Sequence, residues 1–288
     1  MQIRPARPSD RDAVTRFTTD TFVWGDYVGD AFDRWVGGDP DAALLVAVDD
    51  DDTAQGLVRA SLLSESEGWL QAIRVADGWR RRGVGAALTE AAITWVRDAG
   101  ARVVRLYVET GNLASDATAS KSGFRTAGSW AMAERSVGDA SPMPAGNGGI
   151  RVPAAEQLQR AHSAEAEPAF MSWESGDLYR ESRGLFATAW TWRRLQPEDL
   201  AEAARAETLW QARSGWAMAG RRNTALSVGW IETSPDDAYD FCRALVDLAV
   251  SAGAERSQVM LPEVLWLTNA ARRAGYTLHP GTIYERGV

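Results

Sequence analysis

Arg80-Arg81-Arg82-Gly83-Val84-Gly85 is the run in this chain whose residue types and spacing are best suited to chemistry. Free N–H groups at a helix start, with the positive end of the helix dipole, form a site for an anion. Glycines at 83 and 85 keep side chains out of the space between a ligand and the backbone, and three guanidinium groups add positive charge. A phosphate or diphosphate is the natural guest. The same residues also suit an ordinary helix start with arginines solvated at its rim. Two phosphate-binding devices fit poorly. A P-loop needs Gly-x-x-x-x-Gly-Lys-Ser/Thr, which the chain lacks, and a dinucleotide fingerprint wants a third small residue where Leu88 stands. Glu109 could serve as the ribose-binding acid of such a fingerprint. However, the chain before residue 69 reads as antiparallel hairpins.

Two elements must position this turn. Residues 69–75 form an apolar strand that ends at Val75. From Ala86 a helix begins, with Leu88, Ala92, Trp95 and Ala99 at steps of three and four and Gly100 as its left-handed stop. A further buried strand is expected over 102–108 and a short helix over 115–122. Asn112 lies just before that helix, and Lys121-Ser122-Gly123-Phe124 closes it.

With these pieces in place, the first 135 or so residues resemble the GNAT superfamily of N-acetyltransferases. Arg80-x-x-Gly83-x-Gly85 looks like that family's acetyl-CoA motif, and Asn112 with Gly123-Phe124 looks like its following segment. The resemblance implies an α/β (α+β) fold, a mixed and mostly antiparallel twisted sheet flanked by helices, with acetyl-CoA as co-substrate. It implies that Ile73, Arg74 and Val75 meet the acetyl-pantetheine arm, with the Val75 N–H stabilising the oxyanion. Arg80, Arg81, Arg82, Gly83, Val84, Gly85 and Ala86 would hold the diphosphate, and Asn112 and Ser115 would face the arm from the other side. The chain departs from the family where a tyrosine usually protonates the leaving sulfur, because that position is Ala119. Thr118, Ser115, Ser120 and Tyr107 are the substitutes, with Tyr107 entered as the candidate. Glu65, Glu67 and Glu109 compete as general base with a relay of water, and Glu67 is the candidate.

The acceptor pocket of the resembled family is lined by the early helical region, here the stretch containing Trp24, Asp26 and Tyr27. A carboxylate beside two aromatic rings could hold an ammonium group by charge and cation–π contact. Aromatic core packing with acids toward solvent accounts for the same residues. Around them, residues 2–7 read as a strand and a helix capped by Ser9 or Asp10 runs to Phe17. Residues 43–48 and 55–63 read as a hairpin with an acidic tip, and 125–137 as a later strand.

A chain of 288 residues suggests two domains. A Gly/Pro/Ser/Ala-rich linker is expected over 138–149, a helix over 153–167 and irregular chain over 169–183. Trp192 to Asp199 echoes Ile3 to Asp10, and Ala252-Gly253-Ala254 followed by Ala274-Gly275-Tyr276 echoes Ala99-Gly100-Ala101 followed by Ser122-Gly123-Phe124. The organisation read from this is a GNAT domain over 1–140, a linker and connecting helix over 141–183, and a degenerate GNAT-like unit over 184–288. Between strand 226–231 and helix 237–250 the second copy reads Glu232-Thr233-Ser234-Pro235-Asp236, which would repel a diphosphate. One cofactor site per chain follows. Tandem members of the superfamily, mycothiol synthase among them, have this two-unit layout.

Composition narrows the partners. A net charge of −8 disfavours nucleic acid and anionic membrane. No apolar run approaches membrane-spanning length, the one cysteine excludes an intrachain disulfide, and a cytoplasmic protein is expected. The two histidines lie far apart without ligand-like neighbours, so no metal is expected. The expected activity is acetyl transfer from acetyl-CoA to a primary amine of a small molecule, by a monomer or homodimer. A non-catalytic acyl-CoA-binding protein is the alternative, and a nucleotide-dependent oxidoreductase rests only on Gly83-x-Gly85.

Overall fold

The computed structural model describes residues 1–19, 21, 25–138 and 157–288. Residue contacts divide the chain into Met1–Ala127 with Ile283–Val288, and Gly128–Thr282. The linker expected over 138–149 falls, from 139 onward, outside the described residues, as do the first residues of the helix expected at 153.

The first unit opens with strand β1 (Gln2–Pro5), helices α1 (Arg11–Thr18) and α2 (Val28–Val36), and strands β2 (Ala42–Val48), β3 (Ala54–Ser64) and β4 (Glu67–Val75). Helix α3 (Val84–Asp98), strand β5 (Val103–Glu109) and helix α4 (Leu113–Lys121) follow. β1 through β4 pair antiparallel in sequence order, and β5 runs parallel to β4. Residues 283–288 lie beyond β5 in the same sheet. The alternation of β2 and β3 sends side chains to two cores. Val14, Val28 and Phe32 pack with Leu44, Val46 and Leu57 on one face, and Leu88, Ala92 and Val96 of α3 pack with Val58, Ala60 and Leu70 on the other. The helix start at Asp10 is tied down by a bidentate ion pair, with Arg4 at 2.8 and 2.9 Å, while the Arg7 N–H also donates to Asp10.

The segment 283–288 is bound into this unit by its side chains. Ile283 is fully buried, Tyr284 Oη donates to Asp116 at 3.1 Å, and Arg286 pairs with Glu90 and donates to the Ser122 carbonyl. Arg105 donates to both Glu67 and Glu285, at 2.5 and 3.2 Å.

Strand β6 (Arg125–Ser136) leaves the first unit for the second, whose sheet runs β6, β13 (Arg256–Pro262), β12 (Ala225–Thr233), β11 (Gly215–Arg222), β10 (Leu209–Ala212), β7 (Gln159–Arg160). Helices α5 (Ala166–Ser175), α6 (Asp177–Ser182), α7 (Pro197–Arg205), α8 (Ala238–Ser251) and α9 (Leu265–Arg273) flank it, and β14 (Thr277–Gly287) returns the chain to the first unit. Strands β8 (Leu185–Thr188) and β9 (Thr191–Arg194) form a separate two-stranded sheet.

Three local expectations are corrected. Residues 159–160 form a strand where a helix was expected, because they pair with Trp210 and Gln211 at the sheet edge. Residues 169–183 are largely helical, since Ala169, Trp173 and Leu178 at steps of four and five bury one face in the second core. The echo of Ile3–Asp10 in Trp192–Asp199 is a likeness of capping and does not extend to sheet position. Arg193 grips Asp199 as Arg4 grips Asp10, at 2.5 and 2.7 Å, but β9 pairs with β8, and β7 takes the edge beside β10.

Candidate functional site

The site is built where β4 and β5 part. Their parallel ladder spans only Glu67–Trp69 against Val103–Arg105. β4 continues for six residues past it, still paired to β3 but with its other edge open. A bulge interrupts that last stretch, because Leu57 faces Arg74 while Arg59 faces Gln71. Ala72 takes the bulge with φ 58, a left-handed conformation that costs an alanine about 1–2 kcal/mol and is held here by burial. Past the bulge, the Ala76 N–H donates to the Gln55 carbonyl at 2.8 Å, which makes 55 and 76 a bonded pair and 56 and 75 a non-bonded one. By alternation the Arg74 main chain faces β3, and the N–H and C=O of Val75 face the open side. Arg80 Nε donates to that carbonyl at 3.2 Å.

The turn then delivers the start of α3 to the same place. Gly83 is its N-cap with φ 81, a backbone that an L side chain strains to adopt, and a Cβ there would meet nothing within 4 Å. The first helical bond runs from the Ala87 N–H to the Gly83 carbonyl at 3.0 Å, so the N–H groups of Gly83, Val84, Gly85 and Ala86 are the unused ones. No acid lies in the first turn. Arg80 pairs with Asp77 at 2.9 Å, Arg82 stacks 5.4 Å from the Trp79 ring centroid, and Arg81 makes no ion pair among the described residues. The loop therefore presents uncompensated positive charge beside four unused donors.

The other expected site residues are distributed unevenly. Ile73 and Val75 pack against the α3 side of the sheet. Asn112 caps α4, its side-chain oxygen accepting from the Ser115 N–H at 3.2 Å, which leaves its NH2 as the donor for a ligand. Ala119 is 1% exposed, inside the core. Tyr107 is half-buried between the buried Leu106 and Val108, so it points to the face opposite α3. Glu67 lies at the far end of β4, eight residues from Val75 and roughly 25 Å along the strand. There it is buried in its ion pair with Arg105. The fold does not bring it to the turn.

On the opposite face of β4, Asp26 and Tyr27 come together with Arg74. Arg74 Nε donates to Asp26 at 2.7 Å and its guanidinium carbon lies 5.9 Å from the Tyr27 ring centroid, while Asp26 also accepts from the Val28 N–H. The cation expected from a substrate is thus supplied by Arg74 itself, and Arg74 turns away from the glycine turn at the start of α3. Trp24 lies outside the described residues. Sequence reasoning missed the Ala72 bulge and the 283–288 segment. An alanine gives no left-handed signal, and pairing across 180 residues leaves no local trace.

The second unit repeats the frame without the acid-free helix start. β12 pairs with β13 only over Ala225–Val228, and Gly229 forms a bulge between Val228 and Trp230. There a Cβ would stand 2.0 Å from the Ala187 carbonyl oxygen, so β8 lies directly against the strand. At the start of α8, Asp237 is the N-cap and accepts from Ser234 Oγ at 2.8 Å, and Asp240 sits in the first turn. Acids already hold the dipole end that is bare in α3. Among the described residues no cluster of three His, Cys, Asp or Glu is placed to hold a metal, and no helix is long and apolar enough to cross a membrane.

At the end of β12 lies a group with an unusual titration. Glu232 is 7% exposed, one oxygen accepts from Ser172 Oγ at 3.0 Å, and the other has no hydrogen-bond partner among the described residues. Burial pushes its carboxyl up from 4.5 to about 7, against the Ser172 hydrogen bond and helped by Asp177. The unfolded chain ionises first as pH rises, so folding loses stability between about pH 4.5 and 7, by up to about 3 kcal/mol in all. Glu232→Gln is expected to remove that loss, raising the melting temperature by several degrees at pH 8 and little at pH 4.5. A pH–stability curve that the substitution leaves unchanged would contradict it.

A parted pair of parallel strands, a bulge beside the gap and a helix start without acids come together at the end of β4. Residues 11–124, which lie in the first unit, match the profile of the Acetyltransferase (GNAT) family. The likeness of fold extends over the whole chain. A GCN5-related N-acetyltransferase from Sphaerobacter thermophilus superposes with a TM-score of 0.69 at 13% identity, covering 99% of this chain and 95% of that one. A tandem GNAT protein from the clavulanic acid biosynthesis pathway does so at 0.58 and 13% identity, covering 99% and 98%. A GCN5-related N-acetyltransferase from Kribbella flavida does so at 0.51 and 16%, covering 99% and 70%. No curated protein matches the chain by sequence.

Proposed function

We propose that this chain is an N-acetyltransferase whose first unit moves an acetyl group from acetyl-CoA to a primary amine of a small molecule. One observation carries the reading: the open edge of β4 past Trp69, with the Val75 main chain facing it, leads directly to the acid-free start of α3. The residues fit the co-substrate. Amides 83–86 and the Arg81 guanidinium suit a diphosphate, and the strand edge suits the amides of a pantetheine arm.

In this reading Val75 N–H donates to the thioester oxygen as charge develops there, a donor commonly worth a few kcal/mol. The amine nitrogen forms a bond to the acyl carbon, the C–S bond breaks, and the amine proton passes to water. Ala119 offers no proton to the departing sulfur, which leaves as thiolate and is protonated by solvent. Holding the two reactants together supplies most of the acceleration. We place the activity in the cytoplasm, in a monomer or homodimer without nucleic acid or membrane. Ala119 also favours a second reading, a non-catalytic acyl-CoA-binding protein. Thiol release from acetyl-CoA over a panel of small amines separates the two. Release above the amine-free rate with at least one acceptor supports transfer, and saturable CoA binding with none supports the second reading.

A further inference from the structure

The same place in the two units carries opposite charge. Arg74 stands seven residues past Glu67, where the β4–β5 ladder begins, and Glu232 stands seven past Ala225, where the β12–β13 ladder begins. In the first unit, Arg74 closes the approach to α2 with a permanent ion pair to Asp26. In the second, Glu232 meets α5 through Ser172 and makes no ion pair among the described residues.

Acceptors surround that carboxyl. Ser172 Oγ gives its one proton to Oε1, and Oε2 has no hydrogen-bond partner among the described residues. Gly176 joins α5 to α6, and a Cβ there would stand 3.0 and 3.3 Å from Oε1 and Oε2 and 3.1 Å from the Ser172 carbonyl oxygen. Three oxygens therefore converge on this joint, at the negative end of the α5 dipole. The Ser172 carbonyl accepts from Ser175 Oγ, while the Gly176 N–H goes to Trp173. From α6, Asp177 adds a second carboxylate, itself paired with Arg180, and from β11 the uncharged Trp216 lies across from Glu232. Closing the corner over an ionised Glu232 buries a charge among like partial charges. A proton on Oε2 removes that charge and turns one acceptor into a donor. Burial accordingly raises the carboxyl from 4.5 to about 7, so the closed corner is favoured at low pH and loses that advantage as pH rises through this range.

We propose that the α5–α6 corner is a proton-held latch: with Glu232 neutral it lies closed on the end of β12, and ionisation of Glu232 releases it in a step separate from unfolding of the unit. The release hydrates the carboxylate and uncovers the edge-on contacts of Trp173 with Trp230 and Tyr179, whose ring centroids lie 5.7 and 6.0 Å away. The first unit has no such dependence at the matching place, because Arg74 supplies a fixed cation. This device belongs to the second unit and is independent of the acyl-transfer reading.

The test is amide hydrogen exchange of the full chain between pH 5 and 8, each rate divided by its intrinsic rate at that pH. A carboxyl moved from 4.5 to about 7 can shift the opening equilibrium by up to about 300-fold. Residues 172–182 are expected to lose at least about tenfold more protection over this range than α8 of the same unit. Glu232→Gln keeps the shape of the side chain without its charge and should hold the protection of 172–182 constant. Equal losses in α8 would mean that the whole unit opens, which overturns the latch and leaves the effect on global stability standing. Protection of 172–182 that is independent of pH in the native protein, or a loss that persists in Glu232→Gln, overturns it as well. The native profile decides by itself should the variant fail to fold.

Discussion

Gly83→Glu is expected to weaken CoA binding by at least about 100-fold, or about 2.7 kcal/mol, in titration calorimetry. Two effects combine. Gly83 holds φ 81, so any side chain strains the N-cap by about 1 kcal/mol, and the glutamate brings negative charge to the four unused amides of α3. Gly83→Ala separates them. With open space around the Cβ position, alanine adds strain without charge and should cost roughly tenfold or less. Unchanged affinity in Gly83→Glu, with the fold intact by circular dichroism, would remove the anion site from this turn and the proposed donor with it.

A chain ending at Thr282 is expected to lose the first unit's cooperative unfolding and its affinity for CoA together. The missing residues bring one fully buried isoleucine, worth about 2–3 kcal/mol. They also bring the Glu285 contact to the buried Arg105, and the Arg286 links to Glu90 and Ser122. Together these are a large share of the 5–15 kcal/mol that typically separates a domain from its unfolded state. The edge of β5 would be uncovered as well, a template for aggregation. A peptide spanning residues 277–288, added in trans, should recover part of the binding. A truncated chain with native affinity and an unshifted unfolding midpoint would refute the expectation.

How legible was this molecule? The first unit's order of strands and helices could be read because its elements announce themselves locally. β2 and β3 are long apolar stretches either side of an acidic tip, and α3 carries its stripe between Gly83 and Gly100. The glycine turn at the start of α3 was legible for the same reason, since it is written in six consecutive residues. What lay outside reach was whatever depends on partners distant in sequence. Asp26 and Tyr27 read as an ammonium site until Arg74, 48 residues on, is seen gripping the carboxylate. Glu67 read as a base near the central strand until Arg105 is seen to bury it at the wrong end. In the second unit, Trp192 to Asp199 preserves an Arg–Asp clasp, which repeats in sequence because capping is local. A place in a sheet is settled by whichever strand wins the edge, and there Gln159–Arg160 does.

The return of residues 283–288 to the first unit has a consequence for biosynthesis. On the ribosome, residues 1–127 emerge first, yet their sheet is completed only by residues 283–288, made after the whole of the other unit. The first unit must therefore wait as an unfinished half-sheet while roughly 155 intervening residues are translated, about 10–30 s at typical elongation rates. A stalled or prematurely terminated message yields a product with an exposed strand, so quality control falls to whatever chaperone shields that flank. The first unit is thereby conditional on translation passing residue 288.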